Sequence, residues 1–458
     1  MAKAIDLPEI KAVCAAVMPE LKTLSAFIYQ HPELGYEEFK SSAAHVDLLR
    51  HHGFSVEYPY LDMPTAFRAE FRSIAAANTA ASVTAAAAAT TTAAVTAAAG
   101  TAASVTAAAA ATTTAAATTA AAATARAVDP GPFVAFLSEY DALPGVGHGC
   151  GHNILGAAGS GAGIVLKELL TRTGLAGTVL VFGTPAEETS GAKVLMSDKG
   201  AFDGLDACIV AHPAEDYYES GRSLALEAVE FVFLGKAAHA GSNPELGINA
   251  LNGVIGLFNG INAMRGHIKP EARIHGIITE GGLAANIVPE RAVARFYLRA
   301  GSKAYLSQLS TMVRACAESA ARAVGASLEI GNYEASYDDL LTNDALQKAF
   351  TRNLLDAGAS AVKPPRSTYG SLDAGNVSHR CPTIHPYFRI SPKAVVAHTR
   401  EFAAATLDDY ALDSLRITIA AMARTGLAII ADKTFRAEVR RQFDEATVQD
   451  CPAEREAL

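Results

Sequence analysis

The sequence predicts an α/β protein: a mostly parallel sheet flanked by helices, with a separate α+β unit inserted into it. Continuous apolar runs at Phe133 to Leu137, Gly177 to Phe182 and Ala207 to Ala211 read as strands buried on both faces. Helical patterns separate them. Each run leads into side chains able to hold a ligand, in Ser138-Glu-Tyr-Asp, Thr184-Pro-Ala-Glu-Glu and His212-Pro. In an open parallel sheet that edge is where ligands bind.

With 458 residues, half of them hydrophobic, the chain can bury a core in two or three domains. A net charge of -9 argues against a nucleic-acid surface and favours a small-molecule partner. Six irregularly spaced cysteines do not form a disulfide framework and fit a reducing compartment. Met1 to Leu21 holds no continuous apolar segment of signal-peptide or membrane-span length. The expectation is a soluble cytoplasmic protein without a membrane partner.

Taken in order, Leu7 to Gln30 has apolar positions at helical spacing, with Pro8 suited to a first turn. His31 precedes proline at that helix end and reads as structural. Ser41 to His52 forms a second helix, stopped by Gly53, and Phe54 to Tyr58 a strand. From Ile74 to Ala125 the chain is almost pure alanine and threonine; lacking large side chains, it cannot offset its ordering entropy by burial. It is expected to be a mobile insertion decorating a hairpin between Phe67 to Phe71 and Phe133 to Leu137.

Asn153 can cap a helix to Leu170, whose Gly156, Gly159, Gly161 and Gly163 permit close packing on a sheet. A short helix, Ala192 to Lys199, precedes the strand at Ala207. Beyond Gly221 the pattern changes to strands at Leu224 to Leu234, Arg273 to Ile278, Ala292 to Leu298 and Ser327 to Tyr333, with helices at Asn249 to Arg265 and Lys303 to Val324. This set can fold as an inserted unit, residues 223–335, between residues 1–222 and 336–458. The last part carries helices at Asn343 to Ala357 and Leu412 to Ile430, and a charged tail from Lys433 that reads as a solvated helix.

The chemistry centres on Ser138 to Asn153, which gathers carboxylates, imidazoles and a thiol in a glycine-rich turn. Cys150, His152, Glu188, His212 and a late histidine form a donor set for zinc or a similar divalent ion. Five groups from separated segments suit two ions sharing one bridging ligand, and the Cys150 thiolate can be that bridge. Singly, each has a structural alternative: Cys150 as a buried small side chain, His212 as a core histidine, Glu188 as a helix-start carboxylate. Their common place at strand ends favours the metal site. Glu187, beside a ligand carboxylate, can take a proton from water activated by the ions. Nucleotide binding by the turn fails, because neither a phosphate-loop nor a dinucleotide fingerprint is there.

Tyr140-Asp-Ala-Leu-Pro-Gly, Gly147-His-Gly-Cys-Gly-His-Asn, Gly183-Thr-Pro-Ala-Glu-Glu, Gly235-Lys-Ala-Ala-His-Ala and Ala285-Asn-Ile-Val-Pro-Glu resemble motifs of the metal-dependent amidohydrolases of the aminoacylase and carboxypeptidase G family. The resemblance is closest to the branch of aminobenzoyl-glutamate hydrolase and the aminoacylase-like β-alanyl dipeptidases. It implies a catalytic metallohydrolase domain with an inserted lid through which two chains form a homodimer, and two divalent ions, zinc or manganese with cobalt possible. It further implies Glu187 as general base, Cys150, His152, Glu188 and His212 as metal ligands, and Asp141 as an orienting residue. Much of the wider family has histidine where this chain has Glu139, and its bridging aspartate is replaced here by cysteine. His398 resembles the late histidine ligand; His385 is the competitor and otherwise a substrate-pocket residue. His239 resembles the histidine that reaches into a partner's site to stabilise the oxyanion, and Asn286 a substrate-carboxylate contact. The implied function is amide hydrolysis of N-acyl amino acids or small dipeptides; the alternative is a catalytically silent homologue that keeps the fold.

Overall fold

The computed structural model describes residues 5–74, 131–366 and 370–450. Apart from Ile74, the alanine-threonine stretch and its expected mobility lie outside the described residues.

A six-stranded sheet is built from β1 (Ser55–Glu57), β2 (Phe67–Ser73), β3 (Phe133–Ser138), β4 (Gly177–Gly183), β5 (Ala207–Ile209) and β11 (Thr383–Ile384), in the order β1-β2-β4-β3-β5-β11. Strands β4, β3, β5 and β11 run parallel; β1 and β2 add an antiparallel edge. The expected hairpin is therefore not formed. β4 sits between β2 and β3 and pairs with both, because a fully apolar strand gains most with a neighbour on each side.

Alternate residues of the central strands feed two cores. Val134, Phe136, Val179 and Val181 face a layer containing α1 (Leu7–Gln30), α3 (His152–Thr173) and α10 (Asp409–Ala431). Ala135, Leu137, Leu180 and Phe182 face α4 (Ala192–Asp198) and α8 (Ala374–Ser378). By length and composition α1, α3 and α10 are each apolar enough to cross a membrane; in this fold α3 and α10 bury most of that apolar length.

The close seat of α3 on the sheet depends on small residues. A Cβ at Gly159 would stand 2.2 Å from the Leu137 carbonyl oxygen, and one at Gly163 2.3 Å from Val181 Cγ2. The helix begins two residues earlier than expected: Gly151, with φ of 81°, is the cap, and Asn153 lies inside the helix. The Asn153 amide donates instead to the Ser25 and Thr406 hydroxyls, tying α3 to α1 and to the segment before α10.

β5 ends at Ile209, two residues short of the expected boundary, and His212 opens a new strand, β6 (His212–Ala214). β6 pairs in parallel with β12 (Tyr387–Arg389), so the chain leaves the main sheet before it presents His212. His385 lies in the break between β11 and β12.

The inserted stretch forms its own antiparallel sheet from β7 (Ala225–Leu234), β8 (Arg273–Glu280), β9 (Arg291–Ala300) and β10 (Ser327–Asn332), in the order β10-β7-β9-β8. Helices α5 (Ala250–Met264) and α6 (Lys303–Val324) pack on it over a separate core that includes Phe231, Phe233, Leu257, Phe296 and Val313. α2 (Phe39–His51), α7 (Asp344–Ala357), α9 (Arg400–Ala405) and α11 (Lys433–Asp450) complete the described helices. α11 is docked rather than fully solvated: Val439 is buried, its carbonyl accepts from Asn343 Nδ2, and Gln442 Oε1 accepts the Ala345 N–H.

Replacing Gly159 by alanine sets a methyl against a backbone carbonyl that cannot swing aside. The substitution is expected to cost about 2 kcal/mol or more of stability, read as a lowered denaturant midpoint, since overpacking a tight core costs in that range; an unchanged midpoint would contradict this account of the helix seat.

Candidate metal centre

The centre begins where β3 ends. Glu139, Tyr140 and Asp141 continue the strand into the interior, each essentially without solvent exposure. The chain then turns through Gly145, Gly147 and Gly151, all at positive φ, and α3 starts with His152. At Gly151 a Cβ would lie 2.6 Å from Pro213 Cγ, so glycine there lets the turn meet the segment carrying His212.

Asp141 is the anchor. Its Oδ1 accepts from His152 Nδ1 at 2.8 Å, and its Oδ2 from the backbone N–H of Glu188 at 2.9 Å. With Nδ1 donating, His152 turns Nε2 inward as a potential ligand. His212 is set the same way: Nδ1 donates to the Pro213 carbonyl at 2.7 Å, leaving Nε2 3.4 Å from Cys150 Sγ. Burial, then the neighbouring His385 and His152, lowers the His212 pKa to about 3, keeping the ring neutral as a metal ligand must be.

The loop after β4 delivers Glu187 and Glu188. Ala186 adopts φ of 60°, rare for a residue with a side chain, and its N–H donates to Glu38 Oε1 at 2.8 Å. Glu38 also accepts from the Thr65 hydroxyl at 2.7 Å, so one buried carboxylate fastens this turn to the edge of the sheet. His398 has φ of 65°; its N–H donates to the Gly149 carbonyl at 2.8 Å, and its Nε2 lies 3.7 Å from Glu188 Oε1.

Two of the groups whose ligand atoms lie mutually within 4.8 Å are Cys150, His152 and His212, and Cys150, Glu188 and His398. They share the Cys150 sulfur. His152 Nε2 and Glu188 Oε1 are buried without hydrogen-bond partners, a costly condition that a bound cation relieves. Thiolate, imidazole and carboxylate donors therefore fit two divalent ions bridged by one sulfur.

Of the two late histidines, His398 belongs to a ligand cluster, while His385 packs its ring 5.6 Å from that of His212 and donates its backbone N–H to Ser220 Oγ. Glu187 Oε2 stands 3.9 Å from His152 Nε2. Burial, then the Glu139 and Asp373 carboxylates, pushes its pKa well above the usual carboxylate range. His239 and Asn286 meet on the inserted unit, where the Ala240 N–H donates to the Asn286 carbonyl at 3.0 Å; among the described contacts neither touches the metal cluster of its own chain. His239 Nδ1 accepts the N–H groups of Gly241 and Ser242, so its exposed Nε2 carries the proton and is a donor. His148 turns away to the Ile28 carbonyl, and His31 to that of Phe27; both are structural.

Sequence reasoning missed Glu38, Lys193 and Asp373. Lys193 Nζ is wholly buried, 2.8 Å from Glu139 Oε1 and 2.7 Å from Asp373 Oδ1. Burial raises the Glu139 pKa, but Lys193, His152 and His212 outweigh it and hold the carboxyl at about 2. Its signal was available: Lys193 shares the inward stripe of α4 with Met196 and Ser197 at helical spacing, where an unpaired lysine would not be buried. Glu38 carried no comparable pattern.

The sequence pattern of peptidase family M20/M25/M40 matches residues 127–425. The chain belongs to peptidase family M20. This M20 chain is 32% identical over 438 residues to Xaa-Arg dipeptidase of Homo sapiens, covering 92% of this chain and 88% of that protein. It is 34% identical over 246 residues to one of the polypeptides of p-aminobenzoyl-glutamate hydrolase from Escherichia coli strain K12, covering 50% and 51% respectively. Among solved structures, an aminobenzoyl-glutamate utilization protein from Klebsiella pneumoniae superposes with TM-score 0.62 at 17% identity, covering 93% of this chain and 99% of that one. A dinuclear metal-binding M20 peptidase from Bacillus subtilis gives TM-score 0.54 at 17% identity, covering 89% and 99%. The M20 chain is thus an enzyme of the hydrolase class acting on amide or peptide bonds.

Metal uptake by this M20 chain should release protons. Burial pushes the Cys150 thiol pKa well up, and Asp141 and Cys150, overcoming burial, raise that of His152, so both groups hold protons that an ion must displace. Apparent metal affinity should therefore rise with pH between about 6 and 8, by roughly tenfold per unit for each proton displaced. Titration calorimetry in two buffers of different ionisation enthalpy checks this; pH-independent binding without proton release would contradict it.

Proposed function

We propose that this M20 enzyme hydrolyses the amide bond between an acyl or β-aminoacyl group and an amino acid, with Glu187 as general base. The observation that carries the reading is the pair of ligand clusters sharing Cys150, with the Glu187 carboxylate beside His152 of the first. Two divalent ions, zinc or manganese with cobalt also suited to the donors, would polarise the scissile carbonyl and acidify water.

The chain's own residues do the rest. Cys150, His152, Glu188, His212 and His398 would hold the ions. Asp141 fixes His152 and the Glu188 backbone together. Glu187 takes a proton from the attacking water and passes it to the leaving nitrogen. The outward Nε2–H of His239, from a second copy of the chain, donates to the developing oxyanion, and Asn286 beside it contacts the substrate carboxylate. His385, buried against His212 and Tyr387, lines the substrate side of the centre.

A homodimer through the inserted unit is part of the proposal. Among the described residues β8 pairs only with β9 and leaves one edge open, and Ile277, Ile278, Leu283 and Ile287 are exposed along it and the following loop. The substrate class draws support from relatives named Xaa-Arg dipeptidase, p-aminobenzoyl-glutamate hydrolase and N-acetyl-L-cysteine deacetylase, names that each describe an acylated amino acid. Cytoplasmic residence draws support from the described cysteines, Cys14, Cys150, Cys208, Cys316 and Cys381, all of which are free thiols.

The test is a hydrolysis screen of metal-loaded protein against N-acyl amino acids, β-alanyl dipeptides and aminobenzoyl-glutamate. Glu187→Gln is expected to lower kcat by about 10²- to 10⁴-fold with metal content retained, the usual weight of a general base. Undiminished turnover in that variant would refute Glu187 as base, and no hydrolysis of any of the three classes by the loaded wild type would refute the substrate reading.

A further inference from the structure

Behind the proposed ligands lies a second group of charges that the reaction does not use directly. Lys193, on the first turn of α4, has no solvent exposure. Its Nζ binds Glu139 Oε1 at 2.8 Å and Asp373 Oδ1 at 2.7 Å, and its backbone N–H donates to Asp373 Oδ2 at 3.2 Å. The three residues come from the end of β3, the helix after the Glu187–Glu188 loop and the turn before α8, so the ammonium joins separate parts of the catalytic half.

The other face of Glu139 is unsatisfied. Its Oε2, on a side chain only 2% exposed, has no hydrogen-bond partner and points to within 3.3 Å of His152 Nε2, which is also buried and unpartnered. With Glu187 these two residues form a third ion-sized cluster, all ligand atoms within 4.8 Å. This cluster competes with the two built on Cys150: an ion in it would draw on His152 and would turn Glu187 from a free carboxylate into a ligand. Glu139, Asp373 and Glu187 bring three carboxylates to one buried region, where attraction for a divalent cation is strong. The only ammonium these contacts place between Glu139 and Asp373 belongs to Lys193.

We propose that Lys193 is a positioning residue that serves as a built-in cation: by binding Glu139 and Asp373 it keeps a divalent ion out of the Glu139–His152–Glu187 cluster and leaves Glu187 free to act as base. The proposal rests on the two-ion reading above and adds a rule for where the ions go. Lysine suits the task because its ammonium is a compact point charge that accepts carboxylates from several directions while its stem fills apolar space. Glutamine or methionine at this position would fill similar volume and supply no charge.

The test compares full-length wild type, K193M, K193M/E139Q and K193M/D373N after loading with Mn²⁺ and dialysis, measuring bound metal per chain, the positions of the ions by anomalous diffraction, and kcat and KM separately. His152 has one free ring nitrogen and can bind only one ion, so in K193M an ion should lie among Glu139, His152 and Glu187 at the expense of the one on Cys150, His152 and His212 that wild type keeps. Its kcat should be at least about tenfold lower while KM stays within about twofold, because the lost element is the base and not substrate binding. K193M/E139Q should return the ion to the Cys150 side and regain part of kcat. K193M/D373N removes one charge of each sign and guards against a K193M chain that does not fold; it too should show the shifted ion. Ions in the wild-type positions in K193M, or in K193M/D373N where K193M does not fold, would overturn the proposal while leaving the two-ion reading intact. A wild type that holds no divalent ion would overturn both.

Discussion

The carboxylate of Asp141 is the contact on which the rest of the centre depends. One oxygen fixes the ring of the first residue of α3 in a buried bond, and the other fixes the backbone of Glu188 after β4 in a part-buried one. Hydrogen bonds to a charged group in such surroundings contribute about 1.5–3 kcal/mol each, enough to hold two loops in one arrangement against their own freedom. The fold prepares this contact from behind. β3 and β4 are neighbours in register, so the residues that follow them emerge side by side, and the close approach of α3 at Gly159 and Gly163 sets where that helix starts.

Much of this was legible in the sequence. Apolar runs with no polar alternation marked the parallel strands, because only strands covered on both faces can be written that way. α1 and α6 have the bounds expected of them, and the structure adds a cap at the start of α6, where Ser302 accepts the N–H of Tyr305. The motifs at strand ends named Cys150, His152, Glu188 and His212, the family resemblance added His398 over His385, and the structure brings all five together. Three features were not legible. β2 and β3 read as partners because they are successive strands, yet their pairing is decided by β4, which comes later. Asn153 has the chemistry of a cap but is used in the interior, since Gly151 already makes the turn at positive φ. Asp373 and Glu38 act only through partners distant in the chain, and single-residue chemistry carries no sign of such pairings; for Lys193 the helical stripe signals burial but not the partners that permit it.

The centre combines two kinds of rigidity. Its ligands sit on backbone that is anchored on several sides and in places strained, as the positive φ values of Ala186 and His398 show, at a cost of order 1 kcal/mol or more each. Its charges are balanced in layers: carboxylates around the proposed ions, and a buried ammonium behind them. The inserted unit is built differently, as an antiparallel sheet with a core of its own, and its exposed His239 and neighbouring Asn286 are not engaged with the metal cluster of their own chain among the described contacts. Under the proposed function one half would fix the ions and the other would bring donors to the substrate.

The central claim is that two ions share the Cys150 sulfur. Anomalous diffraction from crystals of the zinc-loaded enzyme measures it most directly. The account predicts two metal peaks flanking Cys150 Sγ, each about 2.3 Å from it, one reached by His152 and His212 and the other by Glu188 and His398. A single peak held by Glu139, His152 and Glu187, with the thiol uncoordinated, would contradict it.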